Sequence, residues 1–248
     1  MIAVMQVEIR KHLQDVGLIF WMIILPIIFT VLFIAMFTNG VEGDVKTQIT
    51  TSIVPGYVVM FVFFIMISIV NTFVKDRDKG MVARLASTRL KPFGYLLGKW
   101  VPFLLIVMVQ MFILFTFGKL IYDIPMEQMT YIIVIAMCLS FVATTLGVGL
   151  ALIVKTENMG IAVTQIVALG GAMIGGLWMP LDAMPSFIQT ASPAFPQYWA
   201  HQAMYDALLG QLSFGGFMQA VAVLCAIGCG AMFMAWLLFP SYLQKAKH

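Results

Sequence analysis

Six long stretches of almost uncharged, apolar residues constrain this chain more than any other feature of its sequence. They cover approximately residues 17–38, 53–74, 100–121, 129–154, 158–180 and 217–240. A helix of about 20 apolar residues crosses the hydrocarbon core of a bilayer. Only 10% of the 248 residues are charged, against roughly 25% in an ordinary soluble domain. The sequence therefore predicts an all-α integral membrane protein, with residues 1–248 forming a single transmembrane domain.

The first fifteen residues alternate between charged and apolar side chains, which is typical of an amphipathic helix lying along the membrane surface. Their charged or titratable members are Glu8, Arg10, Lys11, His12 and Asp15. A cleaved signal peptide would have a shorter apolar stretch and a small-residue cleavage site. Residues 16–38 are uncharged throughout and no such site closes them. We expect a retained first span with a kink at Pro26.

Lysine and arginine are distributed very unevenly between the two sides that six spans define. Six spans place both termini on one side, and positively charged loops favour the cytoplasm. With the N-terminus in the cytoplasm, only Lys46 and Lys119 lie outside. The other twelve lie inside: Arg10, Lys11, Lys75, Arg77, Lys79, Arg84, Arg89, Lys91, Lys99, Lys155, Lys245 and Lys247. The sequence predicts that both termini are cytoplasmic.

Residues 75–99 hold seven of the fourteen lysines and arginines, between two membrane-length stretches. We expect so charged a segment to lie outside the core and to face water, lipid headgroups or another protein. Residues 79–90 can form a short helix with Met81, Leu85 and Thr88 on one face, ended by Pro92. The residues alone leave two functions open. The segment is either a docking surface for a protein, or a solvated basic loop that fixes topology and attracts anionic lipid.

The outer segment between the fifth and sixth spans, residues 181–216, differs from the spans in composition. Its prolines are too frequent for a membrane-spanning helix, whereas its aromatic residues are typical of the membrane interface. We expect one or two short helices that dip into the outer leaflet as a re-entrant segment.

Motifs for catalysis are missing from the sequence. Gly94 to Trp100 resembles a phosphate-binding loop, but its glycines are too close together and no Ser or Thr follows Lys99. An ion-coupled carrier or an intramembrane protease would have a charged or catalytic residue near the middle of a span, and none is predicted there. Cys138, Cys225 and Cys229 lie inside spans, where we expect them only to pack. We expect no enzyme, no catalytic residues and no metal site.

Two groups of residues within the spans are candidates for a role in transport or packing. Asn71, Gln110 and Gln165 carry amides that either bond neighbouring helices or line a substrate path. Gly171 and Gly175 form a G-x-x-x-G pair, and with Gly176 and Pro180 they provide either close helix packing or a flexible gate.

The order of several motifs resembles the ABC type-2 permeases, the membrane subunits of bacterial ABC exporters. The resemblance covers nearly the whole chain. It rests on the N-terminal basic helix and on three later regions. The loop after span two contains Lys79-Gly80-Met81 with Arg84-Leu85, and then Tyr95 to Lys99. The end of span five contains Gly176 to Leu181 with Met184-Pro185, and the outer segment contains Ser192-Pro193 to Ala207-Leu208.

The resemblance implies a permease subunit that exports an amphipathic, drug-like or lipid-like substrate. It places a cytoplasmic coupling helix for the ATPase between spans two and three, at roughly residues 78–90. The implied contacts are Lys79, Gly80, Met81, Arg84, Leu85, Thr88 and Arg89. In the family a proline often directly follows the Leu-x-x-Thr part of this loop, whereas here Pro92 comes later. The difference implies a longer or shifted docking helix.

The resemblance also implies the partners and the location. They are a cytoplasmic ATPase subunit that holds ATP and magnesium, a second permease subunit, identical or different, and membrane lipid in a bacterial plasma membrane. No cofactor on this chain and no nucleic-acid partner are expected. The alternative is a membrane scaffold or sensor subunit that binds a cytoplasmic partner through residues 75–99 without moving a substrate.

Overall fold

The computed structural model describes residues 2–40, 43–81, 92–179 and 181–245. All regular structure in these ranges is helical. The helices are α1 (Ile2–Gln14), α2 (Val16–Phe37), α3 (Asp44–Phe63 continued by Ile65–Asp78), α4 (Pro92–Tyr122), α5 (Met129–Ile153), α6 (Glu157–Ile174), α7 (Ser186–Ala191), α8 (Pro196–Leu208) and α9 (Phe214–Lys245). Six of them, α2 to α6 and α9, are long and apolar enough to cross a membrane. The prediction of six helices long and apolar enough to span a membrane is confirmed.

Helix α3 is the central helix of the bundle. It contacts α2, α4, α5, α6 and α8, and it is the most enclosed of the six long helices. Gly147 of α5 lies against Met66 and Ile69 of α3, while Gly160 of α6 lies against Val70. The missing side chains let these helices approach α3 closely. Helix α9, the most exposed of the six, packs mainly on α5, where the free thiols of Cys138 and Cys225 lie 3.8 Å apart.

Three long helices depart from regular α-helical geometry. Helix α3 is interrupted at Phe64, where the amides of Phe64 and Ile67 each bond three residues back, to the carbonyls of Phe61 and Phe64. Helices α2 and α6 contain π-helical turns at Phe20–Ile24 and Ile166–Gly170. The first of these turns ends two residues before Pro26, and a proline cannot donate the hydrogen bond that a regular turn requires. The departure from regular geometry thus lies beside the kink expected at Pro26.

Three helices differ in extent from the spans predicted from hydropathy. Helix α3 begins at Asp44, before the predicted span of residues 53–74. Helix α4 begins at Pro92, before the predicted span of residues 100–121, so Gly94 to Lys99 are helical. Helix α6 ends at Ile174, short of residue 180, because Gly176 has φ of 74° and the Leu177 amide bonds back to Ala172. This left-handed glycine is a regular way to end a helix.

The connections fall at two opposite ends of the bundle. At one end, Tyr242 of α9 donates a hydrogen bond of 2.7 Å to the Phe73 carbonyl of α3, and α1 packs along α4. At the other end, the amides of Glu127 and Gln128 bond to the carbonyls of Leu208 and Ala207 of α8. The first end, which also carries Lys79 and Lys155, is called the charged end below.

Candidate functional site: a buried ion cluster at the charged end

Asp76 and Lys99 meet in the interior of the charged end. Asp76 lies two residues before the end of α3, and Lys99 lies in the second turn of α4. The chain between them includes the whole predicted coupling segment. The Lys99 ammonium pairs directly with the Asp76 carboxylate, and both side chains are buried, Lys99 completely. A buried ion pair therefore joins the two spans on either side of that segment.

Aromatic rings and a second carboxylate complete the surroundings of Lys99. Its Nζ lies 3.7 Å from Glu8 Oε1 of α1, and 5.1 Å and 5.6 Å from the ring centroids of Phe73 and Tyr95. The Tyr95 hydroxyl donates a hydrogen bond of 3.2 Å to Asp76 Oδ2. Burying a charge is costly unless it is paired, and here two carboxylates and two ring faces stabilise one ammonium group.

Helix α1 is held to this cluster by Glu8 and His12. Glu8 Oε1 also lies 3.4 Å from the Lys11 ammonium, and Glu8 Oε2 lies 3.8 Å from His12 Nε2. The His12 ring packs against Phe103 of α4, with the ring centroids 4.4 Å apart. Burial lowers the pKa of His12 below its ordinary value. The surface helix predicted from the sequence is thus attached to the interior of the bundle.

Further polar contacts tie the end of α3 to the rest of the charged end. The Arg77 guanidinium donates hydrogen bonds to the carbonyls of Val154, at 3.1 Å, and of Lys155, where α5 turns into α6. The Lys75 ammonium lies 3.7 Å from the Glu157 carboxylate of α6, and both side chains are partly exposed. The end of α3 is therefore connected to α1, α4, α5, α6 and α9.

The expectation that residues 75–99 lie outside the core is wrong for Asp76 and Lys99. Sequence reasoning missed them because it counted charges without their tertiary partners. A signal was present in the spacing of Tyr95 and Lys99. These residues are one turn apart on α4, so an aromatic ring and the ammonium share a face.

The predicted coupling residues are only partly within the described chain. Lys79 and Met81 are exposed, and Gly80, with φ of 65°, ends α3 in a left-handed conformation. Arg84, Leu85, Thr88 and Arg89 lie outside the described residues. The exposed positions directly follow the ion cluster.

The three amides proposed for a substrate path lie in different surroundings. Asn71 of α3 lines a polar cavity of about 270 Å³ beside α1. Gln110 of α4 is buried and lines a separate apolar cavity of about 260 Å³. Gln165 is exposed on α6. The structure does not bring the three together in one cavity.

The glycines at the end of α6 lie against α8. A Cβ at Gly171 would overlap the side chain of Gln197, and one at Gly175 would lie 3.1 Å from the Tyr198 amide nitrogen. The Gln197 amide donates a hydrogen bond of 3.1 Å to the Val167 carbonyl in the π-helical turn of α6. Pro180 lies outside the described residues. The close approach at Gly171 is therefore to α8 of the same chain.

A second buried polar group, missed by sequence reasoning, lies at the end opposite the charged end. Gln197 and His201 are one turn apart on α8 and both are buried. His201 lies beside Gly56 of α3, and burial lowers its pKa to about 4. The i,i+4 spacing of Gln197 and His201, which places two polar side chains on one face of a short helix, was the available signal. This imidazole is neutral at physiological pH.

These features define a multi-pass helical membrane protein whose charged groups concentrate at one end of the bundle. Within the described residues, no group of three or more His, Cys, Asp or Glu could hold a metal ion. A family model described as ABC-2 family transporter protein matches residues 45–237, well over half of the chain. The chain belongs to this family, and the resemblance noted in the sequence is confirmed.

Three relatives of established name are similar to parts of the chain. The linearmycin resistance permease protein LnrN of Bacillus subtilis is 24% identical over 155 residues, which are 62% of this chain and 40% of LnrN. The putative transport permease YvfS of the same organism is 26% identical over 159 residues, 61% of this chain and 64% of YvfS. ABC transporter G family member 20 of Dictyostelium discoideum is 24% identical over 156 residues, 62% of this chain and 21% of that protein. The chain thus spans less than two thirds of the length of each relative.

Proposed function

We propose that this chain is the membrane-spanning permease subunit of an ATP-driven ABC exporter, working with a separate cytoplasmic ATPase subunit. The observation that carries the proposal is the buried ion pair between Asp76 and Lys99. It joins the two ends of the predicted coupling segment and, through Glu8, connects both to α1. A displacement of that segment by the ATPase would therefore move α1, α3 and α4 together.

The mechanism follows from the connections at the charged end. When the ATPase subunits bind ATP and magnesium and close, they move residues 78–90 on each of two permease subunits. Because the end of α3 is bonded through Arg77 to the α5–α6 turn, its displacement also moves the fifth span. The rearranged spans then release the substrate outward, past the outer segment, which we propose to be re-entrant.

The orientation and the substrate class belong to the same proposal. The charged end carries most of the lysines and arginines, which favours a cytoplasmic location for both termini in a bacterial plasma membrane. Spans without central charges favour amphipathic, drug-like or lipid-like substrates. The name of LnrN, a linearmycin resistance permease, supports a drug-like substrate.

Copurification with the ATPase tests the proposal. We expect Arg84→Glu and Leu85→Asp to abolish binding of the ATPase and ATP-dependent transport in reconstituted vesicles. Lys46→Glu is the matched charge reversal, because Lys46 is exposed near the start of α3 at the opposite end, and it should change neither. If both loop variants retain binding and transport, residues 78–90 are not the coupling element. Binding without transport of any substrate by the unmodified complex would instead favour a scaffold or sensor subunit.

A further inference from the structure

An apolar groove lies between α1, α2 and α4 near the charged end. Its volume is about 260 Å³. Aliphatic side chains dominate its lining, among them Leu13, Leu18, Met22, Leu105 and Ile106. It is large enough for a segment of hydrocarbon chain.

Two residues of the lining are polar: His12, which also lines the neighbouring polar cavity, and Gln110, which does not suit a purely hydrocarbon occupant. Gln110 is 1% exposed, and among the described residues neither its Nε2 nor its Oε1 has a hydrogen-bond partner. An unpartnered amide in an apolar environment is costly, because it has lost water without gaining a replacement. A plain acyl chain from lipid offers nothing to this amide. An occupant that carries a hydrogen-bond donor and acceptor within its apolar part can bond to this amide.

The groove adjoins a cavity of the opposite character. The polar cavity of about 270 Å³ between α1 and α3 shares His12 and Leu18 with the groove. Both signs of charge line it: Glu8, Asp15, Asp76, Lys11, Lys75 and Lys79. The groove and the cavity therefore lie side by side on α1 and the start of α2.

We propose that the groove and the cavity together bind an amphipathic molecule whose hydrocarbon tail carries a hydroxyl or amide group, and that Gln110 recognises this group. A hydroxyl can accept from Nε2 and donate to Oε1 of the same side chain. The inference rests on the proposed function in one respect: the bound molecule is a transported substrate only if the chain is a permease subunit. Binding itself requires neither ATP nor an ATPase.

The test uses a fatty acid with a hydroxyl half-way along its chain and the same acid without the hydroxyl. A photoreactive form of the hydroxylated acid is crosslinked to the full chain in lipid nanodiscs, and each unlabelled acid competes at matched mole fractions in the lipid. We expect the hydroxylated acid to compete about tenfold better, as one hydrogen bond of about 1.4 kcal/mol implies. The crosslinked peptides should come from α1, α2 and α4.

Variants separate recognition from folding. Gln110→Leu keeps a similar volume and removes the amide, so the two acids should then compete equally. Gln219→Leu is the matched control, since Gln219 is an exposed amide on α9, and it should retain the tenfold preference. Ile106→Trp fills the groove and should remove crosslinking to all three helices.

Three results would overturn the inference. They are equal competition in the unmodified chain, loss of the preference in Gln219→Leu as well, or crosslinks that persist in Ile106→Trp. A failed preference together with intact ATPase binding would leave the proposed function standing. An intact preference without ATPase binding would reject the proposed function and retain the site.

Discussion

The two ends of the helix bundle are held together by different kinds of interaction. At the charged end, Asp76, Lys99 and Glu8 form a buried cluster of full charges from three helices. At the opposite end, Gln197 and His201 are buried as neutral groups on α8, Gln197 against Gly171 of α6 and His201 beside Gly56 of α3. Ion pairs act over longer distances than neutral packing and tolerate small displacements. The difference suits one end to transmit a movement and the other to stay closely packed.

The largest effect is expected from removing the buried cation. Lys99→Met leaves the Asp76 and Glu8 carboxylates without their common partner. Breaking a buried ion pair by removing one member costs about 3–5 kcal/mol. Thermal unfolding of the purified chain in detergent should show a correspondingly lower midpoint.

Lys119→Met is the matched control for that variant. Lys119 pairs with the exposed Asp123 at 2.7 Å, and this bond lowers the pKa of Asp123. Exposed pairs contribute little, so the midpoint should stay unchanged. If Lys99→Met unfolds at the same temperature as Lys119→Met, the charged end is not stabilised by its buried pair.

Acid should destabilise the opposite end through His201. Its folded pKa is about 4, below the unfolded value of about 6.5, so the unfolded chain binds the proton more readily. The stability contributed by neutral His201 is present above pH ~6.5 and is lost as the pH falls toward 4. Between pH 7 and pH 5 the loss is about 2 kcal/mol.

Unfolding midpoints measured across this pH range check the prediction. His201→Gln does not titrate, so its curve should be flatter than that of the unmodified chain. Equal slopes for the two proteins would show that another group is responsible.

A smaller effect is expected where α6 meets α8. Gly171→Ala places a Cβ onto the Gln197 side chain, and overpacking costs about 1–3 kcal/mol. The higher helix propensity of alanine offsets up to about 1 kcal/mol of this. The net loss should be about 1 kcal/mol in the same unfolding measurement.

Gly170→Ala is the control for this contact. No atom lies within 4 Å of a Cβ at Gly170, so this neighbouring substitution should be neutral or slightly stabilising. A Gly171→Ala protein as stable as Gly170→Ala would mean that α8 does not press against α6 at this position.

Hydropathy predicted the six spans because crossing a bilayer requires only a sufficient number of apolar residues in sequence. Local composition could not predict the burial of Asp76 and Lys99, since a charge is buried only when distant residues such as Glu8 supply its partners. Three helices differ in extent from the predicted spans for a similar reason. Hydropathy does not predict the left-handed turn at Gly176 that ends α6. It also does not detect that a helix includes polar residues such as Lys99.

The outer segment and the amides illustrate the same limit. Prolines and aromatic residues in positions 181–216 correctly predicted short helices, since α7 and α8 occur there. The position of this outer segment relative to a bilayer stays a prediction. The sequence also identified Gln110 as a polar residue within a span, but not that its amide is buried in an apolar groove. The burial of this amide depends on how α1 packs against α4.

The central claim, that the buried ion pair passes movement from the ATPase to the spans, is tested most directly by removing both charges together. Replacing a buried pair by apolar residues is often neutral for stability, and Glu8 keeps Lys11 as a partner at 3.4 Å. Asp76→Leu with Lys99→Met should therefore fold and bind the ATPase. ATP hydrolysis and transport are then measured in the same reconstituted vesicles. The account predicts that hydrolysis continues while transport per ATP falls about tenfold or more. Transport per ATP equal to that of the unmodified complex would contradict it.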